Sequence, residues 1–411
     1  LNASVTQARH SAGLLKALVF LMFAMFAMTS DSVGGVIPAI IQEFHLSLTA
    51  AGSFQYASMS GIGIAAIGLG FLADRYGHKT TILFGLALFG GASALFAAGH
   101  AFGFFVTLLF VAGLGIGIFK SAALAVIGDL SRSTREHAAT MNLVEGFFGV
   151  GAIIGPALVA YLLQHGSSWK WVYVAAAALC GLLIIGTWTT RFPASRRLRP
   201  QEASAAESLR MLRDPVALYF GLGLMLYVGA EAAVYVWAPT YLSGYAGPNP
   251  WLAAYVVSIF FVLRAAGRFL GAWLLGRYKW SAVLALCSSA MALLFWVSVA
   301  GGREAAIYAL PATGLFMSVL YPTINSTGIS CFDKAQHGAI AGLLLFFTCL
   351  SAVFAPMLMA AVSDMLGDSV YSVVIGALLA TALAAGCWAN RLADPVGPRL
   401  AARNEADYAS V

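Results

Sequence analysis

Residues 70–79, Gly-Phe-Leu-Ala-Asp-Arg-Tyr-Gly-His-Lys, place a charged turn between two apolar runs, each long enough to cross a bilayer. Asp74, Arg75, His78 and Lys79 cannot rest in hydrocarbon, so the flanking runs are predicted to be antiparallel membrane helices joined on the basic side. Composition extends that reading to the whole chain: 60% hydrophobic residues, 10% charged residues and a mean hydropathy of +0.84 are values that a water-soluble globular chain does not reach. Twelve apolar spans fit the sequence, which predicts an all-α integral membrane protein. The first span is too long for a cleavable signal and has no small-residue cleavage site behind it, so it is expected to stay in the chain.

The basic residues test that topology. With both termini inside, all of the 23 Lys and Arg except Lys120, Lys170, Arg264, Arg268 and Arg303 fall on the cytoplasmic side, and only Lys170 and Arg303 fall outside. The net charge of +6 is therefore a topology signal and no sign of a nucleic-acid partner. The expected organisation is a tail over 1–13, a six-helix bundle over 14–190, a cytoplasmic linker over 191–215, a second bundle over 216–391 and a tail over 392–411. Residues recur at a constant offset: Pro38 answers Pro239, His137 answers His337, Pro156 answers Pro356, and Arg75-Tyr76 answers Arg277-Tyr278. Two similar bundles of parallel topology are what alternating access to a site between them requires. Cys180, Cys287, Cys331, Cys349 and Cys387 lie in or at the ends of apolar spans without metal-ligand spacing, and read as packing residues.

Glycine clusters such as Gly113-x-Gly115-x-Gly117 and Gly61-x-Gly63 lie inside apolar spans with no flanking strand, which favours close helix packing over a nucleotide loop. The ionisable residues within the spans carry more information. Asp31, Lys120, Glu145, Glu231, Arg264 and Arg268 fall on spans one, four, five, seven and eight, and each would cost about 2.5 to 3.5 kcal/mol at the bilayer centre if left unpaired. Counting helical rise puts Lys120, Glu145 and Arg268 at one depth and Asp31 and Glu231 in a more outward layer. Tyr227, Glu231 and Tyr235 follow an i, i+4, i+8 course, and Tyr321 and Asn325 repeat that chemistry on span ten. Aromatic faces beside carboxylate and amide groups suit a sugar ring with its apolar faces and hydroxyl rim, while the same Tyr spacing also serves plain packing. Asp31, Glu231 and Glu145 are the candidates for carrying a driving proton, because a carboxylate beside a cavity can exchange one with water. Spans four and five are joined by a short turn, so Lys120 and Glu145 are expected to form a coupled pair. Asp74 and Arg75, with Asp129 and Arg132 at neighbouring span ends and Arg268 on span eight, are the gating candidates.

The turn at 70–79 resembles the signature of the major facilitator superfamily between its second and third helices. Gly267-Arg268-Phe269-x-Gly271-x-Trp273-Leu274, Tyr321-Pro322-Thr323-Ile324-x-Ser326-x-Gly328-Ile329, and Pro356-Met357 with Ser363-Asp364-x-x-Gly367 resemble the fucose permease branch of that superfamily. The resemblance implies twelve helices in two pseudo-symmetric six-helix bundles, with spans three, six, nine and twelve facing lipid. It also implies proton-coupled import of a monosaccharide or related polyol. Gly34 or Gly35 stands where that branch has its first-span acid, with Asp31 a turn earlier, and Lys120 stands near the fourth-span acid. An importer of small organic anions or zwitterions using Lys120 and Arg264, a multidrug exporter, and a transporter-like sensor are the alternatives. No enzyme is expected, since no nucleophile has a base beside it, and no cofactor or metal. The expected partners are a small-molecule substrate, protons and the lipid of the inner (plasma) membrane, and the expected state is a monomer.

Overall fold

In the computed structural model, residues 2–69, 71–130, 134–190, 192, 211–333 and 336–408 are described. Among them no strand occurs. Apolar side chains would pack equally well on sheets, but in hydrocarbon each backbone N–H and C=O needs a partner within its own segment, and the helix provides it.

The chain forms two compact units. The first, Leu1–Arg199, contains α1 (Asn2–Ser30), α2 (Val33–Phe44), α3 (Leu48–Ala51), α4 (Ser53–Gly68), α5 (Phe71–Tyr76), α6 (His78–Ala94), α7 (Phe102–Leu130), α8 (Thr134–Gln164) and α9 (Trp171–Thr189). The second, Pro200–Val411, contains α10 (Pro215–Ala232), a π turn (Ala233–Trp237), α11 (Ala238–Leu242), α12 (Pro250–Ala254), α13 (Val256–Arg277) and α14 (Trp280–Ala300). It continues with α15 (Gly302–Ser330), α16 (His337–Leu366), α17 (Val370–Ala393) and α18 (Gly397–Tyr408).

Among the described residues, 11 segments are long and apolar enough to cross a membrane. The remaining predicted span, second in order, comes in pieces: α3 and α4 meet at Gly52, and α4 stops at Gly68. Ser47 starts it, its hydroxyl accepting the Ala50 N–H at 3.2 Å. Large apolar side chains stay exposed on the helices of spans six and nine, Leu182 and Trp188 on α9 and Leu286 and Leu293 on α14. Such faces suit a lipid solvent and would be a liability in water.

The same pairs of helices pack in both units. In the first, α4 packs on α7, α6 on α7 and α9, and α1 on α8; in the second, α13 packs on α15, α14 on α15 and α17, and α10 on α16. Glycines let the closest of these pairs touch by backbone. A Cβ on Gly61 would lie 2.3 Å from the Phe110 carbonyl, and one on Gly113 would lie 2.3 Å from the Ser58 carbonyl. Gly267 and Gly314 do the same for α13 and α15, facing the carbonyls of Leu315 and Phe260. Of the five free cysteines, all but Cys349 are buried.

Two interruptions bear on function. The first span is not one helix: it breaks at Asp31-Ser32 between α1 and α2. Thr29, Ser30, Asp31 and Ser32 form a polar run whose side chains compete for main-chain partners, and Thr29 and Ser32 hydroxyls bond back to the carbonyls of Phe26 and Met28. In span seven the helix widens into the π turn just before Pro239, which has no N–H to continue the ladder. Both interruptions lie beside an acid, Asp31 and Glu231.

Candidate functional site

The second unit assembles the most complete polar group. Glu231 ends α10, and its carboxylate forms an ion pair with the Arg264 guanidinium from α13. The Tyr227 hydroxyl, one turn earlier on α10, donates to the same carboxylate at 3.2 Å. Tyr227 is fully buried and Glu231 is 8% exposed, so water reaches neither freely. The ring of Tyr321 on α15 lies 5.7 Å from that of Tyr227 at 51°. Arg264 also lies 5.9 Å from the Phe261 ring. Gly314 makes the group compact, since a Cβ there would lie 3.2 Å from the Arg264 amide nitrogen and 2.4 Å from the Phe260 carbonyl.

The support behind this group is equally specific. Ser351 on α16 donates to the Met225 carbonyl at 2.6 Å, and the Trp237 indole donates to the Pro356 carbonyl at 3.1 Å. These bonds hold α16 against both sides of the Glu231 turn. Asn325 lies half-buried one turn beyond Tyr321 on α15. Tyr235 is buried, but it sits within the π turn, so the straight-helix stripe expected from Tyr227 to Tyr235 holds only as far as Glu231.

In the first unit, Asp31 occupies the break between α1 and α2, its amide bonded to the Ala27 carbonyl at 3.0 Å. Lys120 on α7 is half-buried, with its ammonium 4.9 Å over the Phe148 ring of α8. Glu145 is exposed and lies three residues before Phe148, which puts both on one face of α8. Arg268, one turn beyond Arg264, is exposed. Arg75 is exposed and lies 5.5 Å over the Tyr76 ring. The side chains of the gating candidates Asp74 and Asp129, and the whole of Arg132, lie outside the described residues.

Sequence reasoning did not anticipate two of these arrangements. Depth counting grouped Glu231 with Asp31 and left Arg264 without an assigned partner, although two opposite charges on consecutive spans were the available signal. Lys79 carries a specific role as well: its ammonium donates to the Trp188 and Thr190 carbonyls at 2.6 and 2.9 Å, closing the C-terminus of α9. Among the described residues, no three His, Cys, Asp or Glu side chains converge as a metal site.

The family model of the Major Facilitator Superfamily matches residues 19–356. The L-fucose-proton symporter of Escherichia coli strain K12 is 27% identical over 399 residues, 88% of this chain and 90% of its own. Protein TsgA of Shigella boydii is 24% identical over 314 residues, 76% of this chain and 79% of its own. A crystal structure of a variant of the nucleoside transporter NupG superposes with a TM-score of 0.78 at 13% identity, covering 91% of this chain and 99% of that one.

Proposed function

The chain belongs to the Major Facilitator Superfamily, and on that premise we propose that it is a proton-coupled symporter importing a sugar or a similar small polar metabolite by alternating access. The observation that carries this reading is the group of Glu231, Arg264, Tyr227 and Tyr321, with Glu231 and Tyr227 buried and Arg264 and Tyr321 half-buried. The 27% identity to an L-fucose-proton symporter supports it.

The pair is neutral as it stands, which lets it remain in a low-dielectric site. Transfer of a proton to Glu231 removes the anion that Arg264 faces. The guanidinium donors then become available to a hydroxyl-bearing ligand, and the Tyr227 hydroxyl can turn to the same ligand. Loss of the proton restores the ion pair and expels the competitor, so proton and substrate occupancy are linked by one carboxylate. Tyr321 supplies a flat apolar face for a sugar ring. Asp31, Tyr235, Asn325, Lys120 and Glu145 are further candidates for contacting the substrate. Asp74, Arg75, Asp129, Arg132 and Arg268 are assigned to gating.

The anion-importer reading uses Arg264 as the cation that holds the substrate, and the Glu231 carboxylate competes with an incoming anion there for as long as it stays ionised. A thermal-shift screen on the purified protein separates the two, with monosaccharides and polyols set against carboxylates and amino acids. Stabilisation by a monosaccharide or polyol at millimolar concentration is the expected result; stabilisation by carboxylates alone would reject the sugar reading.

A further inference from the structure

The C-terminal segment makes a contact that the transport site does not use. α17 ends at Asp394, which takes the left-handed conformation, φ 44°, that closes the helix. The turn is tight: a Cβ on Gly397 would lie 2.4 Å from the Asp394 carboxylate. Val396 is 1% exposed and anchors the turn, and α18 then carries Arg399 across the ends of two other helices.

One guanidinium serves both ends. Its Nη1 and Nη2 donate to the two oxygens of Asp214 at 3.0 and 2.9 Å. Its Nε donates to the Cys331 carbonyl, just past the end of α15, at 3.0 Å, and its Cζ lies 4.4 Å from the centre of the Phe332 ring. Asp214 is the N-cap of α10, its carboxylate accepting the amides of Val216 and Ala217 at 2.9 and 3.3 Å. The anion thus sits at a positive helix end and the cation at a negative one, and Arg399 joins the two.

The two helices tied in this way are the ones that carry the proposed site, Tyr227 and Glu231 on α10 and Tyr321 and Asn325 on α15. Each also has an interruption beyond the tie: the π turn after Ala232 on α10, and Pro322 inside α15. Between tie and interruption lie two arms, residues 215–232 and 323–330. We propose that Arg399 is a strap that locks these two arms together, so that engagement of the C-terminal segment controls their movement about the interruptions and hence the opening of that end of the transport path. The proposal rests on the transporter reading for its consequence, while the strap itself is testable without any substrate.

The test is hydrogen exchange followed by mass spectrometry on the full chain in lipid nanodiscs, comparing wild type with Arg399→Gln, Arg399→Lys and Asp214→Asn. Asp214→Asn keeps an N-cap side chain while removing the charge and one of the two acceptors that the Arg399 fork uses, and it stands in if Arg399→Gln does not fold. Exchange should rise about tenfold or more in both arms, 218–226 and 323–330, with 302–318 unchanged. Arg399→Lys should fall between, because it keeps the charge and loses the fork. A rise confined to 214–217 and 331–333, or no rise at all, would overturn the strap. Arms that loosen in a protein that transports no sugar would leave the strap standing and reject the sugar reading instead.

Discussion

In the second unit the buried Glu231 meets the half-buried Arg264 directly and takes a hydrogen bond from the buried Tyr227. In the first unit the acid at the matching position, Asp31, occupies a helix break, while Lys120 lies over the Phe148 ring on another pair of helices. The two repeats share helix packing and differ in how they house charge. The difference teaches that the fold and the site were constrained separately: glycine contacts and apolar faces can repeat while the ionisable residues diverge, because packing needs volume and charge needs a partner.

The largest effects should therefore come from splitting the pair in the second unit. Arg264→Met leaves the Glu231 carboxylate buried beside a neutral side chain and should cost about 3 to 5 kcal/mol of stability, read as a fall in melting temperature. Glu231→Gln with Arg264→Met should recover most of that loss and still abolish proton-driven accumulation. Equal losses that add in the double variant would show that the two charges act independently.

A smaller effect is expected from Tyr227→Phe, which removes one donor to Glu231 and keeps the ring against Tyr321. It should cost about 1 to 3 kcal/mol, read as a fall in melting temperature, and reduce proton-driven accumulation with little change in the protein's fold. Unchanged accumulation would separate Tyr227 from the proton step.

In the first unit Glu145 is more exposed than Glu231, so a cycle of Lys120→Met and Glu145→Gln should show a weaker coupling than that of Glu231 with Arg264. A coupling as large as that of Glu231 with Arg264 would erase the contrast between the repeats.

The smallest effect concerns pH at the strap. Burial alone would push the Asp214 carboxyl up, but Arg399 and the Val216 and Ala217 amides outweigh it and hold it below the ordinary carboxylate value of 3.8. A lowered folded value stabilises at pH above the unfolded value, and the contribution is lost as pH falls through the folded one. Exchange protection of the arms should accordingly be constant between about pH 6 and 8 and fall only in acid. A loss of protection near neutrality would assign the strap to a different group.

Most of the fold could be read from the sequence because a bilayer-length apolar run has few alternatives once every backbone polar group must be paired internally. Gly61 and Gly113 were legible as packing residues for the same reason. The interruption of span one was not, although the polar run from Thr29 to Ser32 held the signal. The partnership of Glu231 with Arg264 was less accessible still: it depends on the rotation of α10 and α13 about their axes, which residue spacing within one helix does not report. The Arg399 contact joins positions 185 residues apart in sequence, beyond the helix end at Asp394. No local pattern encodes such a contact.

The central claim is that Glu231 carries the coupling proton. Reconstituted in liposomes with a pH electrode outside, the wild-type protein should move protons inward when a transported sugar is added, at a fixed ratio to sugar uptake. Glu231→Gln should still exchange sugar across the membrane but move no protons and build no gradient. If Glu231→Gln accumulates sugar against its gradient with the proton movement of the wild type, the account is contradicted.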